Sequence, residues 1–309
     1  MKKISIVTPT YNEVENIEKL CLKIKKICND NNIFYEHIII DNASVDGTIE
    51  KIKELTAKDN NIKAIINENN FGHIRSPFYG CLQASGNAVI VMWSDFQSPP
   101  ELILEYYKKW NNGSKVVLGR RIITSDKFFL KICKNFYYSF LSKISNVYLA
   151  KNVTGEGLYD ESVIKILKSL KDPYPYIRGL IFELGYKVDF LDFIQPNRKY
   201  GNTKNNLYTL IDIGLLGIVK HSNLLLRLMI IIGFFFSFLS ILLAVFFFIY
   251  KILFWNSFQL GLAPILIGFF TLASIQIMII GLVGEYVSVI LNYSKNLPLV
   301  IEKERINFD

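Results

Sequence analysis

The chain is 309 residues long, 51% apolar and 20% charged, with a formal net charge of +8. That length holds one large domain or two smaller ones, and the apolar share is high for a wholly soluble protein, so a membrane-embedded part is expected. The charge excess would suit nucleic acid, but beside apolar spans it suits anionic lipid or phosphate chemistry better, and no nucleic-acid partner is expected.

The cysteines at 21, 28, 81 and 133 form no CxxC pair and no metal spacing. Cys21 and Cys28 lie one heptad apart on the expected buried face of one helix, which reads as core packing in a reducing compartment. His37, His73 and His221 form no zinc motif. A short charged start, Met1-Lys-Lys, runs directly into a strand, so no signal peptide is expected.

In chain order, residues 4–8 read as a first buried strand, and Pro9-Thr-Tyr-Asn-Glu13 is the turn that leaves it. A helix follows, with Val14, Ile17, Leu20, Cys21, Ile24 and Ile27 at helical spacing. Residues 36–41 are the second strand, ending on Asp41, and 42–48 its turn. A second helix carries Ile49, Ile52 and Leu55. Residues 62–66 are a third strand, and the polar loop 67–72 opens a third helix that ends near Gly86. Residues 88–93 are a fourth strand, 100–110 a fourth helix and 115–119 a fifth strand. This alternation predicts an α/β fold with a mainly parallel sheet.

The stretch Val89-Ile-Val-Met-Trp-Ser-Asp-Phe-Gln-Ser-Pro-Pro-Glu101 is the most informative. Its apolar run stops at Ser94-Asp95, so Asp95 should sit at the carboxyl edge of a buried strand, where open α/β sheets bind ligands. A carboxylate there, with the Gln97 carboxamide two residues on, suits a hard divalent cation carrying phosphate oxygens. The plainer alternative is that Asp95 only caps the helix starting near Pro99. Asp41, at the end of the second strand, could accept hydrogen bonds from a base or ribose. No GxGxxG, GxxxxGK[ST], GxSxG or HExxH is present, which weakens the dinucleotide reading and removes the P-loop, hydrolase and zincin readings.

Residues 120–150 are basic and aromatic, and read either as an amphipathic helix on a membrane surface or as a helix packed on the sheet. Residues 152–159 read as a turn-rich segment between helices. Residues 188–194 read as a strand, and 195–204 as a basic loop. Residues 207–227 are amphipathic, either interfacial or simply packed. The runs 228–250 and 261–283 hold no charge, and each exceeds the roughly 20 residues that span a bilayer. Lys220, Arg227, Lys295, Lys303 and Arg305 flank the outer ends, which places both termini in the cytoplasm around a short external hairpin. Glu285 falls just past the second run, where an interfacial place is preferred to a transport role. The expected organisation is a catalytic domain over 1–205, a juxtamembrane segment over 206–227, a two-helix hairpin over 228–285 and a cytoplasmic tail over 286–309. Gly and Ser in the uncharged spans leave a homo-oligomer open.

Four motifs together resemble a known family. Pro9-Thr-Tyr-Asn-Glu13, Asp41-Asn-Ala-Ser-Val-Asp-Gly-Thr48, Asn70-Phe-Gly72 and Ser94-Asp-Phe-Gln-Ser-Pro-Pro-Glu101 resemble the family 2 glycosyltransferases of GT-A fold. The basic loop and the apolar hairpin extend the likeness to the polyisoprenyl-phosphate glycosyltransferases. The resemblance implies an inverting transfer of sugar from a UDP- or GDP-sugar to a polyprenyl phosphate, undecaprenyl phosphate being the expected lipid, at the cytoplasmic membrane face. It implies that Pro9, Tyr11, Glu13, Asp41 and Asn70 bind the nucleotide, and that Asp95 and Gln97 hold Mg²⁺ or Mn²⁺. It implies that Arg120, Arg198 and Lys204 meet the acceptor phosphate, for which guanidinium and ammonium groups are the natural partners. Each of these cations taken alone also reads as a solvated surface charge.

Two departures from the family pattern stand out. The family shows two aspartates separated by one residue at the metal site, and here the first is Trp93. The family's Ser-Gly-Phe-Arg-like segment is here Asn152-Val-Thr-Gly-Glu-Gly-Leu, with Glu156 where an aromatic is usual, which makes Glu156 a catalytic candidate. Two other functions compete. A cell-envelope glycan could be the acceptor, although no Gln-x-x-Arg-Trp motif is present, or a degenerate domain could serve as a membrane scaffold, for which Trp93 is the best support.

Overall fold

The structure is a computed structural model, and it describes residues 2–123, 152–170, 172–196, 224–254 and 262–308. Contacts divide the chain into two units, one built on a sheet and one holding residues 212–295.

The sheet unit opens with β1 (Lys3–Thr10), α1 (Val14–Asp30), β2 (Phe34–Asp41), α2 (Thr48–Lys58), β3 (Ile62–Asn67), α3 (Gly72–Leu82), β4 (Ala88–Val91) and α4 (Leu102–Asn111). It continues with β5 (Val116–Ile123), β6 (Val153–Asp160), α5 (Glu161–Ser169), α6 (Ile177–Glu183) and β7 (Val188–Ile194), and closes with β8 (Glu302–Ile306). The eight described strands lie in the order β7-β5-β6-β4-β1-β2-β3-β8. β1 pairs in parallel with β2 and β4, and β2 with β3, as strand–helix alternation requires. β6 runs antiparallel between β4 and β5, and β8 runs antiparallel along β3.

Period-two alternation sends successive side chains to opposite faces. Ile38 and Ile40 of β2 join Val7, Phe78, Cys81 and Val163 on the face covered by α3 and α5. Ile39 between them joins Ile17, Cys21, Ile52 and Leu55 of α1 and α2 on the other. Ile4, Ile6, Leu20, Ile24, Ile103 and Tyr106 extend that second layer under α4. With both faces covered, β1 to β4 can be apolar throughout. Cys21 and Cys28 are buried on one face of α1, and burial pushes both thiols up to about 12. This bears out their reading as core residues.

Several boundaries and elements differ from the sequence expectation. Residues 152–159 are not a turn-rich segment, because β6 fills the gap between β4 and β5. The residues after 286 are not only a tail, because β8 pairs with β3 and Val300 is buried. α4 begins at Leu102, so Pro99 and Pro100 precede it, and its first amides bond the carbonyls of Pro99, Pro100 and Glu101. β4 ends at Val91, although the Met92 amide still donates to Val7 O at 3.0 Å.

The second unit contains two long described helices, α7 (Leu224–Leu253) and α8 (Leu262–Ser294). Phe234, Phe238 and Ile249 on α7, and Ile277, Ile280 and Ile290 on α8, are exposed. Among the described residues one stretch, Ile275–Ser294, is long and apolar enough by length and composition to cross a membrane. α8 continues through Glu285 without a break.

Candidate active site

The register fixes the frame. Thr10 of β1 stands opposite Asp41 of β2, Asp41 opposite Ile66 of β3, and Val7 opposite Val91 of β4. The four parallel strands therefore end at one edge, where Pro9 and Asp41 sit in the last residues of β1 and β2 and the loops beyond carry Tyr11, Glu13, Asn70, Asp95 and Gln97. At such an edge the helix N-termini and loop amides also gather, which suits an anionic ligand.

The loops after β1 and β2 are stitched to each other. The Asn12 amide donates to Ser44 Oγ at 2.8 Å, the Val45 amide to Asn12 Oδ1 at 2.9 Å, and the Glu13 amide to Thr48 Oγ1 at 2.9 Å. Glu13 accepts from Asn16 Nδ2 at 2.6 Å. Asp41 is fully buried, and its two oxygens accept from the Ser44 amide at 2.8 Å and the Ser44 hydroxyl at 2.5 Å. Burial raises its pKa, an effect the Ser44 bonds partly offset. Asp41 is thus first a fastener of the 42–48 turn, and contact with a base has to be shared with Ser44. Asn70 accepts from the Gly72 amide at 2.9 Å, and the buried Asn42 side chain accepts from the Phe71 amide at 3.2 Å. Asn70 therefore shapes the start of α3.

The turn after β4 bears on the capping alternative for Asp95. Its Oδ1 accepts from the Gln97 amide at 3.1 Å, and α4 starts seven positions later on backbone carbonyls, so Asp95 folds its own turn rather than capping that helix. Phe96 between them adopts a positive φ of 57°, uncommon for a residue with a side chain. The turn is anchored to β1 through Ser94 Oγ, which donates to Pro9 O at 3.2 Å. It is anchored to β6 through Glu156. Ser98 Oγ donates to Glu156 Oε2 at 2.6 Å, and the Trp93 amide donates to Oε1 at 3.4 Å.

Glu156 is 2% exposed, with an oxygen at each end of that turn. Both oxygens of this buried carboxylate are engaged by the turn. Gly155 and Gly157 flank it at φ of 86° and 152°, conformations that only glycine adopts without strain.

Arg120 is paired within the sheet unit. Its guanidinium forks onto Asp192 of β7, with Nε to Oδ1 at 2.6 Å and Nη2 to Oδ2 at 2.8 Å, and it stacks 5.1 Å from the Phe190 ring. That bond holds Asp192 below the usual carboxylate range. Neighbouring side chains on a strand point to opposite faces, so it is Arg121 that turns toward Glu156, with Nη2 3.8 Å from Oε2. Arg121 Nε is buried without a hydrogen-bond partner. Sequence reading missed Arg121, Ser44 and Ser98. Strand alternation could have raised Arg121 beside Arg120, whereas the contacts of Ser98 had no local signal. Arg198 and Lys204 lie outside the described residues.

No group of three or more His, Cys, Asp or Glu that could hold a metal exists among the described residues. Asp95 and Gln97 nevertheless offer hard oxygen donors on one turn. Mg²⁺ and Mn²⁺ are commonly held by one or two carboxylates plus substrate phosphates and water, so this donor set fits such an ion when the nucleotide supplies the rest.

The family model described as glycosyl transferase family 2 matches residues 5–162. The chain is 31% identical to the uncharacterized glycosyltransferase YkcC of Bacillus subtilis, over 96% of this chain and 92% of that protein. It is 30% identical to the bactoprenol glucosyl transferase of Shigella phage SfV, over 97% and 98%. It is 28% identical to a prophage bactoprenol glucosyl transferase homolog of Escherichia coli K12, over 97% and 98%. With strand ends, turn and motifs falling inside the matched residues, the chain belongs to glycosyl transferase family 2 and is a glycosyltransferase.

Proposed function

We propose that the protein moves a sugar from a UDP- or GDP-sugar to a polyprenyl phosphate at the cytoplasmic face of the membrane, with inversion at the anomeric carbon. The observation that carries the reading is the Asp95–Gln97 turn, held at the shared carboxyl edge of β1, β2 and β4 by Pro9 on one side and Glu156 on the other. Relatives aligned end to end with this chain are named for transfer of glucose to bactoprenol, which supports a lipid phosphate acceptor. Membership of a transferase family sets the scaffold reading aside.

In this reading Pro9, Tyr11, Glu13, Asp41 and Asn70 shape the nucleoside pocket, and Asp95 and Gln97 hold Mg²⁺ or Mn²⁺ against the diphosphate. When bound, the cation offsets the charge that develops on the departing nucleoside diphosphate. An acceptor phosphate oxygen attacks the anomeric carbon as the bond from that carbon to the diphosphate oxygen breaks. The acceptor is already largely dianionic at neutral pH, since the second pKa of a phosphate monoester is about 6, so no strong base is required. Arg121, with Arg198 and Lys204, supplies the cations that align that phosphate.

Chain order supports the proposed membrane arrangement. The polypeptide leaves the sheet after β7 and re-enters it at β8, with α7 and α8 between. A segment that starts and ends in one sheet crosses a bilayer an even number of times. At about 1.5 Å per residue, 30 and 33 residues exceed the roughly 30 Å hydrocarbon thickness. This supports the proposed two-helix hairpin, and the flanking Lys and Arg support a cytoplasmic side for both termini. The test incubates purified protein with polyprenyl phosphate, Mn²⁺ or Mg²⁺ and a panel of labelled sugar nucleotides. A lipid-linked sugar from at least one donor is expected, and none across a complete panel refutes the proposal.

A further inference from the structure

We propose that Glu156 is a positioning residue whose carboxylate grips both ends of the turn carrying Asp95 and Gln97, and so sets the affinity of that turn for a metal-bound diphosphate. The inference rests on the nucleotide-sugar reading above. One oxygen accepts from the Ser98 hydroxyl at 2.6 Å and the other from the Trp93 amide at 3.4 Å, so a single buried group closes the loop on itself. The turn contains Phe96 at a φ of 57°, a conformation rare for a residue with a side chain and one that lasts only where its surroundings impose it. Without the grip, relaxation of Phe96 would carry the flanking Asp95 and Gln97 away from a common point.

The chain builds the grip deliberately. Gly157 brings β6 close to β5, since a Cβ there would collide with Val117 O and lie 2.9 Å from Leu118 Cα. Tyr159 Oη locks the same bend by donating to Gly155 O at 2.6 Å. Arg121 offsets the buried charge from 3.8 Å. The carboxylate reaches the turn from another strand, just where Trp93 replaces an expected aspartate. A glutamine would keep one accepting oxygen and place an NH₂ against a donor at the other end.

The test uses full-length wild type, Glu156→Gln and Ser98→Ala in detergent, with Mn²⁺ titrated in two assays. In the first, thermal stabilisation is followed at fixed UDP or GDP, whichever the wild type binds. In the second, sugar transfer and its pH profile are followed at saturating donor. Both variants should need about tenfold more Mn²⁺ for half-maximal stabilisation, equivalent to about 1.4 kcal/mol. The lost activity should be recovered as Mn²⁺ is raised, with the pH profile unmoved. An unchanged Mn²⁺ requirement overturns the proposal, including the case in which only the metal-free melting temperature falls. So does a loss of about 10²-fold or more that Mn²⁺ does not recover and that removes the acidic limb of the profile, because a general base behaves that way. If the Mn²⁺ requirement shifts in the variants while the wild type makes no lipid-linked sugar, the acceptor reading falls and the positioning role stands.

Discussion

Glu36 offers the sharpest test of the packing argument, because its carboxylate is buried at the amino end of the sheet, away from the site. It accepts from Ser5 Oγ at 2.5 Å, from the Ser85 amide at 2.8 Å, and from Lys3 and Lys63 Nζ at 2.9 and 3.0 Å. Burial alone would raise its pKa, but these four partners outweigh burial and hold it down at about 2 against an ordinary 4.5. At about 1.36 kcal/mol per tenfold, that fall is worth about 3.4 kcal/mol at neutral pH. The folded value is the depressed one, so this stability is present above pH 4.5 and drains away as pH falls through about 2. Glu36→Gln should therefore lower the melting temperature of the sheet unit by about 10 °C at pH 7, taking about 2–4 °C per kcal/mol for a domain of this size. The gap from wild type should shrink to about a degree or two by pH 2, where linkage leaves about 0.4 kcal/mol. Tryptophan fluorescence during a thermal ramp in detergent reads both. A gap below about 2 °C at pH 7, or one that does not narrow in acid, refutes the reasoning.

Three further outcomes are expected. Gly157→Ala should cost at least about 3 kcal/mol, from the collision with Val117 O and a φ of 152°, and should raise the Mn²⁺ requirement with it; near-wild-type melting would contradict the account of β6. Arg121→Ala should lower kcat/KM for the lipid phosphate by about 10²-fold, while Arg120→Ala stays within about twofold, since one guanidinium faces the site and the other an exposed carboxylate; steady-state kinetics on both decide it, and the reverse order would restore Arg120. Cys21, Cys28 and Cys81, buried with thiols pushed up to about 12, should label only on unfolding, and mass spectrometry of briefly alkylated native protein would show the failure.

What the sequence revealed follows the range of its signals. α1 was legible because Ile17, Leu20, Cys21, Ile24 and Cys28 repeat at helical spacing on one buried face. β1, β2 and β3 were legible as apolar runs, and the aspartate ending β2 marked the carboxyl edge of the sheet. β6 was hidden by Gly155 and Gly157, which lower strand propensity, although Gly157 is needed for the close approach to β5. β8, Glu302-Lys-Glu-Arg-Ile306, is an edge strand whose charges resist further pairing, so its composition reads as a tail. The contact between Ser98 and Glu156 spans 58 positions and exists only once β4 and β6 are adjacent. Trp93 looked like a loss at the metal site, whereas its amide is one end of the grip that holds the turn.

The most direct measurement places wild type and Asp95→Asn side by side in vesicles containing polyprenyl phosphate, with saturating Mn²⁺ and the donor identified by the panel. Wild type should yield a lipid-linked sugar of inverted anomeric configuration, and Asp95→Asn less than about 1% of it, the loss expected when a group that stabilises the transition state is removed. Equal product from both proteins, or a sugar that reaches water or a glycan and never the lipid, would contradict the account.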